Sequence, residues 1–491
     1  MLPHIPFEIW RAVALFIPEQ VLATLYTVNK VFLAVCRERR YTVVNVDAYK
    51  SAKPLLNYIK ASPLVHTVHV RPWLVRAKDF RPPSALKLLY SCISPQDDET
   101  VEAQIVRRVR KQTRRLCDSI RHLPNVHTYH IDWDEGPVQA EFISALLDAV
   151  LPSIGPNLHT LVLKIPFRHM LSLPSLAQYL PQLQTLSLTI HTGSHNAFEI
   201  SERMEGVIVF LNCLLRHLSS LALFTTPTST FLDLGVLFAH LGHGRRLKSF
   251  ALCIPFDGGH LPEPHSLRRF LAQHSQTLDT LKLETTRAAV RPNLAATSNY
   301  LWIRDSLRNR STFASLTHVS LALRPLRTDL TPLFTFLSGL RLLQQLRLSE
   351  RPLEFIEIVR LLEALENAAA LRALSMRVRW LSPELVDALA ATLPQITVLH
   401  LDFPEVIHSE PSSSVTSTLS NESRGTNRAN ELALFCAAFQ GVVYRDWQLS
   451  QIAVPENQST REPIPWLDDL ERVFVECVPG LTRFEELLSP I

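Results

Sequence analysis

The apolar positions of this chain repeat one phrase: apolar-x-x-apolar-x-apolar. It stands at Leu158-Leu161-Leu163, Leu183-Leu186-Leu188, Leu218-Leu221-Leu223, Leu247-Phe250-Leu252 and Leu278-Leu281-Leu283. It returns at Leu316-Val319-Leu321, Leu343-Leu346-Leu348, Leu371-Leu374-Met376 and Ile396-Leu399-Leu401. Looser copies are Tyr41-Val44-Val46, Val65-Val68-Val70, Val126-Tyr129-Ile131, Leu449-Ile452-Val454 and Leu470-Val473-Val475. The last two apolar positions of each copy alternate with polar ones, the period of a half-buried strand. Between copies the period becomes helical. FIEIVRLLEALENA sets Ile358, Leu361, Leu362 and Leu365 on one stripe, and PSLAQYL places Leu176 and Leu180 four apart. SPELVDALAATL opens with Ser382 as an N-cap, Pro383 at the first helical position and Glu384 in the first turn. The predicted unit is strand, turn, helix and return.

One such unit cannot bury its own apolar face, and stacking units side by side builds a parallel sheet over one core. Most intervals between copies lie near the ~20–29 residues of a leucine-rich repeat, with several longer. Leucine supplies 81 of 491 residues, so the core is built largely from one residue type. The pattern resembles irregular leucine-rich repeats over roughly residues 41–480, although the Asn that usually follows the strand is mostly missing. The expected fold class is an α/β solenoid of irregular leucine-rich repeats, parallel strands plus helices.

For a unit starting at n, positions n+3 and n+5 point inward and n+2, n+4 and n+6 point outward. Position n+2 is Thr67, Thr128, Thr160, Thr185, Ser220, Ser249 and Thr280 in successive units, a β-branched ladder suited to a sheet. The later outward positions vary. They supply His130, Asp132, Lys164, Phe224, Lys282, Glu284, Arg347, Arg377 and His400 as candidates for a substrate-binding face. Mixed charge with a lone aromatic fits recognition of a protein better than a phosphate track or a dry catalytic pocket.

The first forty residues differ. Pro6 suits the start of a helix, Ile9, Val13, Phe16 and Ile17 form one stripe, and Pro18 ends it. Val21, Leu22, Leu25 and Val28 suit a second helix, and Phe32, Leu33 and Val35 a third that runs into RERRY. So small a module needs a partner, or the repeats, to cover its outer apolar residues.

This segment resembles an F-box. The family opens with Leu-Pro-x-Glu-Ile, which stands here as Ile5-Pro6-Phe7-Glu8-Ile9, followed by Trp10 as in many F-box-like proteins of basidiomycete fungi. Leu22 and Leu25, the turn Val28-Asn29-Lys30, Phe32, and the closing Arg40, Tyr41 and Val44 also match. Joined to leucine-rich repeats, it resembles substrate-recognition adaptors of SCF-type ubiquitin ligases. The resemblance implies that Pro6, Ile9, Leu22 and Phe32 face a Skp-type adaptor linked to a cullin scaffold. It also implies that the repeats hold a protein substrate and that the chain performs no chemistry itself. The alternative is a ligase-independent interaction scaffold whose N-terminal helices only cap the array.

Charge and motifs narrow the rest. Fifty Lys plus Arg against 46 Asp plus Glu leave a net charge of +4, which argues against a dedicated nucleic-acid binder. Seven scattered Cys without a CxxC read as reduced core thiols of a cytoplasmic or nuclear protein. Neither a signal-peptide layout at the start nor an apolar run of membrane-spanning length is present in the sequence, so no membrane association is expected. GxSxG, GxGxxG, GxxxxGK and HExxH are absent, so no enzyme activity and no cofactor are expected. His130, Asp132 and Asp134 alternate along one strand and read as a solvated binding face, and His240 and His243, at HxxH spacing, read as a helix end and its Gly-rich turn, rather than metal ligands. The basic run 107–115 fits either an import signal or the wet face of a helix. Expected domains are an F-box-like helical module at 1–40 and the repeat solenoid at 41–491. The Ser/Thr/Asn-rich stretch 408–430 is expected to be a disordered insertion.

Overall fold

A computed structural model describes residues 6–25, 27–46, 63–71, 98–133, 141–193, 195–288, 301–308, 313–327, 329–409, 424–455 and 467–487. Ile5, the Pro pair at 82–83, Asp134 and residues 410–423 lie outside them. The chain divides into two compact units, residues 1–224 and 225–491.

The first unit opens with three helices, α1 (Phe7–Phe16), α2 (Glu19–Leu25) and α3 (Lys30–Thr42). Asn29 caps α3 by accepting the Val31 N–H at 2.9 Å. Ala14, Leu22, Val31, Phe32 and Val35 form a small core, with Trp10, Ile17, Leu25 and Cys36 packed on it. Trp10 meets Phe32 edge to face at a centroid distance of 5.4 Å. The helices are tied by polar bonds as well. The Arg11 guanidinium donates to Glu38 at 2.9 Å, and the Cys36 thiol donates to the Leu22 carbonyl at 3.3 Å.

Helix α3 runs directly into strand β1 (Val43–Val46), and β2 (Thr67–Val70), β3 (Thr128–Asp132), β4 (Thr160–Lys164) and β5 (Thr185–Ile190) follow side by side, all parallel. Strand β6 (Ser220–Thr225) begins where the Ser219 and Ser220 N–H groups both bond the Gln184 carbonyl. Helices α4 (Asp98–Ile120), α5 (Glu141–Ile154) and α6 (Ala197–Leu215) return the chain. Asn196 and Glu199 close a reciprocal capping box on α6. PSLAQYL is a correction. Instead of one helix, it forms a four-residue α-turn, Leu173–Leu176, and a 3-10 turn, Ala177–Tyr179, though Leu176 and Leu180 are buried.

The second unit carries β7 (Ser249–Pro255), β8 (Thr280–Thr286), β9 (His318–Ala322), β10 (Gln345–Ser349), β11 (Ala373–Arg377), β12 (Val398–Asp402), β13 (Gln451–Pro455) and β14 (Arg483–Leu487). They pair in chain order and are parallel throughout. Its helices include α7 (Leu234–His240), α8 (His265–Gln273), α9 (Trp302–Leu307), α10 (Thr331–Ser338), α11 (Phe355–Leu365) and α12 (Pro383–Thr392). As the sequence predicts, α11 buries Ile358, Leu361, Leu362 and Leu365, and Ser382 accepts the Leu385 N–H at the start of α12.

The three apolar positions of the clear repeats, from Leu158 to Leu401, are all buried. Where the usual Asn is missing, a backbone device joins the repeats. The carbonyl of the residue before most strands accepts two successive N–H groups from the next repeat. His66 O takes His127 N–H and Thr128 N–H at 2.9 and 3.1 Å, and Asp279 O takes Thr317 N–H and His318 N–H at 2.8 and 2.9 Å. The hydroxyls of Ser219, Thr317, Thr397, Ser450 and Thr482 donate to the same carbonyls. A parallel sheet of such repeats is an irregular leucine-rich-repeat α/β solenoid.

Two expectations fail near the C-terminus. Leu470-Val473-Val475 is not a strand. It lies inside α14 (Leu467–Cys477), where Leu470, Phe474 and Cys477 form the buried helical stripe, and the last strand is β14. Residues 424–430, expected to be disordered, form the opening turns of α13 (Arg424–Ala438), which Phe435 and Phe439 anchor in the core. His408 also bonds the Glu431 carboxylate through its backbone N–H at 3.0 Å.

Candidate interaction surfaces

The four residues expected to meet an adaptor divide into two pairs. Pro6 and Ile9 are exposed, Ile9 by 53%. Leu22 and Phe32 are only 1% and 5% exposed, so their expected place on the docking surface is corrected. A three-helix module this small needs its largest apolar groups for its own core, and these two fill it. Of the stripe read from the sequence, Ile9, Val13 and Phe16 face outward, whereas Ile17, just past the end of α1, packs on the core. Phe16 is 88% exposed, and Val13, Val21 and Val28 are exposed too, while Trp10, Ala14 and Ile17 face the core. The sequence reading missed this because α1 is apolar nearly all round, so periodicity alone could not select the inner side.

On the strand face of the first unit, His69 and His130 occupy paired positions on β2 and β3, their rings stacked 4.1 Å apart. Burial, then the neighbouring His69, holds the His130 imidazole down at about 4, so it is neutral at pH 7. Asp132 and Lys164 pair across β3 and β4 at 3.0 Å. Phe224 lies half-buried on β6. Residues Arg107, Arg110, Lys111, Arg114 and Arg115 are exposed on α4 above buried Leu116, Cys117 and Ile120, the solvated basic face of a helix.

On the second unit, Leu281 and Leu283 are fully buried, whereas Lys282 is exposed and Glu284 half-exposed. The register sets Lys282, Ser320, Arg347, Ser375 and His400 in one row across β8 to β12. In the next row Arg377 pairs with Asp402 at 3.4 Å. Glu284 accepts the Ser320 hydroxyl at 3.2 Å. The sequence reading names the charged members of the row but not the serines between them, which share position n+4, because it takes only charged and aromatic outward residues as candidates.

At the C-terminal ends of the strands lies a feature with no periodic signal in the sequence. The Arg324 guanidinium sits 3.6 Å above the Phe256 ring, and Thr285 donates its hydroxyl to the Glu350 carboxylate at 2.5 and 2.6 Å. Glu350 holds a left-handed backbone, φ 75°.

Among the described residues, no three His, Cys, Asp or Glu side chains gather in a group that could hold a metal ion. The described cysteines are free thiols, and burial pushes Cys117 and Cys253 up to about 12, far from a reactive thiolate. His240 and His243 are exposed. It is His274 that is buried, with its ring 4.9 Å from that of His243. No helix among the described residues is long and apolar enough to cross a membrane.

No protein-family model matches the chain, and no curated protein matches it. Among solved structures, it is similar to an internalin, inlF of Listeria monocytogenes str. 4b F2365. The identity is 11% and the TM-score 0.25, over 74% of this chain and 82% of that one. It is also similar to TLR13 in a complex with ssRNA13, at 16% identity and TM-score 0.30, over 75% of this chain; it spans about half of that chain, 51%. The fold assignment rests on the repeat register within this chain, an irregular leucine-rich-repeat α/β solenoid with a helical N-terminal module.

Proposed function

We propose that the chain is a substrate-recognition adaptor of an SCF-type ubiquitin ligase. Its N-terminal helices dock a Skp-type adaptor joined to a cullin scaffold, its repeats hold a protein substrate, and it carries out no chemistry itself. The observation that carries this reading is the outer face of the first two helices. Phe7, Ile9, Val13 and Phe16 on α1 and Val21 on α2 remain exposed although the module has a packed core of its own. Ile9, Val13 and Phe16 fall on one side of α1, and an exposed apolar stripe of this kind marks a partner surface. The F-box-like residues Pro6, Glu8 and Ile9 lie at its start.

A second reading, a ligase-independent interaction scaffold, is favoured by the direct passage of α3 into β1, which suits a cap on the first repeat. Pull-down of a purified Skp-type protein by the full chain separates the two. Ile9→Asp and Val13→Asp are expected to abolish capture with the melting temperature unchanged. Absence of capture by the unsubstituted chain would favour the scaffold.

A further inference from the structure

The row Lys282–Ser320–Arg347–Ser375–His400 alternates a cationic or imidazole side chain with a serine on five consecutive strands of the second unit. Neighbouring strands lie about 4.8 Å apart, so alternate members of the row stand roughly 9.6 Å apart. Among the described residues, no carboxylate lies within ion-pair distance of Lys282 or Arg347, although acidic groups flank the row. Each flanking acid has a partner of its own. Glu284 takes the Ser320 hydroxyl, Asp402 takes Arg377, and Glu485 takes the Gln451 amide at 2.9 Å. The local acids are engaged, while Lys282 and Arg347 are exposed, with Ser375 and His400 half-buried and Ser320 buried.

We propose that this row is the binding track for an acidic peptide segment in polyproline II conformation, lying across β8 to β12 with a carboxylate at every third residue. The match is geometric as well as electrostatic. A polyproline II chain has three residues per turn and rises about 3.1 Å per residue, so every third side chain returns to the same side after about 9.3 Å. An extended β-strand repeats its side at about 6.6 Å, out of step with the row. Carboxylates spaced by a polyproline II turn meet Lys282 and Arg347 in turn, with the next at His400. Ser320 and Ser375 lie beneath the intervening peptide groups. Such a segment needs little ordering on binding, because polyproline II is already abundant in unfolded chains.

This inference rests on the reading of the repeats as the substrate-holding part of the molecule and specifies the substrate chemistry. The test uses the full chain and a fluorescein-labelled peptide, (Glu-Pro-Pro)5, read by anisotropy at low salt. Comparators are an isomer of the same composition with its five glutamates contiguous, and a uridine RNA oligomer. Tighter binding of the repeating peptide than of the isomer is expected. Lys282→Glu and Arg347→Glu are each expected to weaken it about fivefold or more, since each reversal replaces an attraction with a repulsion. Lys282→Gln and Arg347→Gln should weaken it less and leave the melting temperature unchanged, which guards against misfolding as the cause. Equal binding of the two peptides, or indifference to all four substitutions, would overturn the proposal. So would tighter binding of the RNA with the same sensitivity, which would make the row a phosphate track. Adaptor capture is measured on the same preparations. Capture without peptide preference removes this inference alone, whereas peptide preference without capture removes the adaptor role and leaves the track.

Discussion

The guanidinium of Arg39, on the third helix, donates to the carbonyl of Ala14 at the end of the first at 3.0 Å. It also reaches the Ile17 and Leu15 carbonyls at 3.2 and 3.3 Å. A helix C-terminus leaves its last carbonyls without partners, and a cation there satisfies them and opposes the dipole. Arg39 therefore joins the C-terminal end of α1 to α3. Arg39→Met is expected to destabilise the N-terminal module by about 1–3 kcal/mol, the range for lost charged hydrogen bonds. Amide exchange in α1 should accelerate, while the repeat strands keep their protection. Unchanged exchange in α1 would mean the cap carries no weight.

Core and surface of the same module can be told apart. Phe32→Ala removes a buried ring and its edge contact with Trp10, and should cost about 3–5 kcal/mol. Ile9→Asp replaces an exposed residue and should leave the fold intact. Circular dichroism melts of the two variants decide whether adaptor loss in Ile9→Asp comes from a lost contact or from a lost fold.

In the second unit, Leu281→Ala should open a cavity costing about 2–5 kcal/mol, because Leu281 is fully buried. Lys282→Glu, one residue on, should change stability little. In a repeat array the first lesion can appear as partial unfolding near β8 rather than loss of the whole chain. Similar melting temperatures for the two variants would contradict the register.

Acid should loosen the fold. Burial, as the first cause, holds His69, His130, His274 and His400 below the ordinary imidazole value of 6.5, His130 at about 4. His274 is fully buried. Its Nδ1 donates to the Phe270 carbonyl at 2.8 Å and its Nε2 accepts the Gly244 N–H at 2.8 Å, so the neutral ring is already fully bonded. Folded pKa values lie below unfolded ones, so the unfolded chain binds more protons below about 6.5. This stability is present above that pH and is lost as pH falls toward the folded values. Melting temperature should drop between pH 7 and pH 4, with a shallower slope in His130→Asn. A pH-independent melt over that range would show that these rings do not titrate differently on folding.

Gly155 marks a close approach of backbones. A Cβ there would strike the carbonyl oxygen of Tyr179. Backbone cannot swing aside as a side chain can, so Gly155→Ala should destabilise the first unit by about 1–3 kcal/mol, the cost of overpacking. Urea denaturation would detect it as a lower midpoint with an unchanged slope.

The sequence by itself determined the repeat. Leu-x-x-Leu-x-Leu can be buried only one way once strands stack, because a period of two assigns each residue to a face, and every clear copy obeys it. It also determined local starts such as Ser382-Pro383-Glu384, where the capping chemistry is complete within four residues. It could not settle segments that satisfy two periods at once. Leu470, Val473 and Val475 fit the strand phrase, but Leu470, Phe474 and Cys477 fit a helix, and packing chose the helix. Nor could it orient α1, whose apolar residues lie nearly all round; the burial of Leu22 and Phe32 beneath Trp10 and Ala14 decided which side remained open. The row from Lys282 to His400 is position n+4 of five successive units, so the repeat names its members, but not the pairing that makes them neighbours. Its members are far apart along the chain and become neighbours only through hydrogen bonding between parallel strands, which fixes their spacing. Position within a strand is local information, whereas neighbourhood across strands belongs to the tertiary fold.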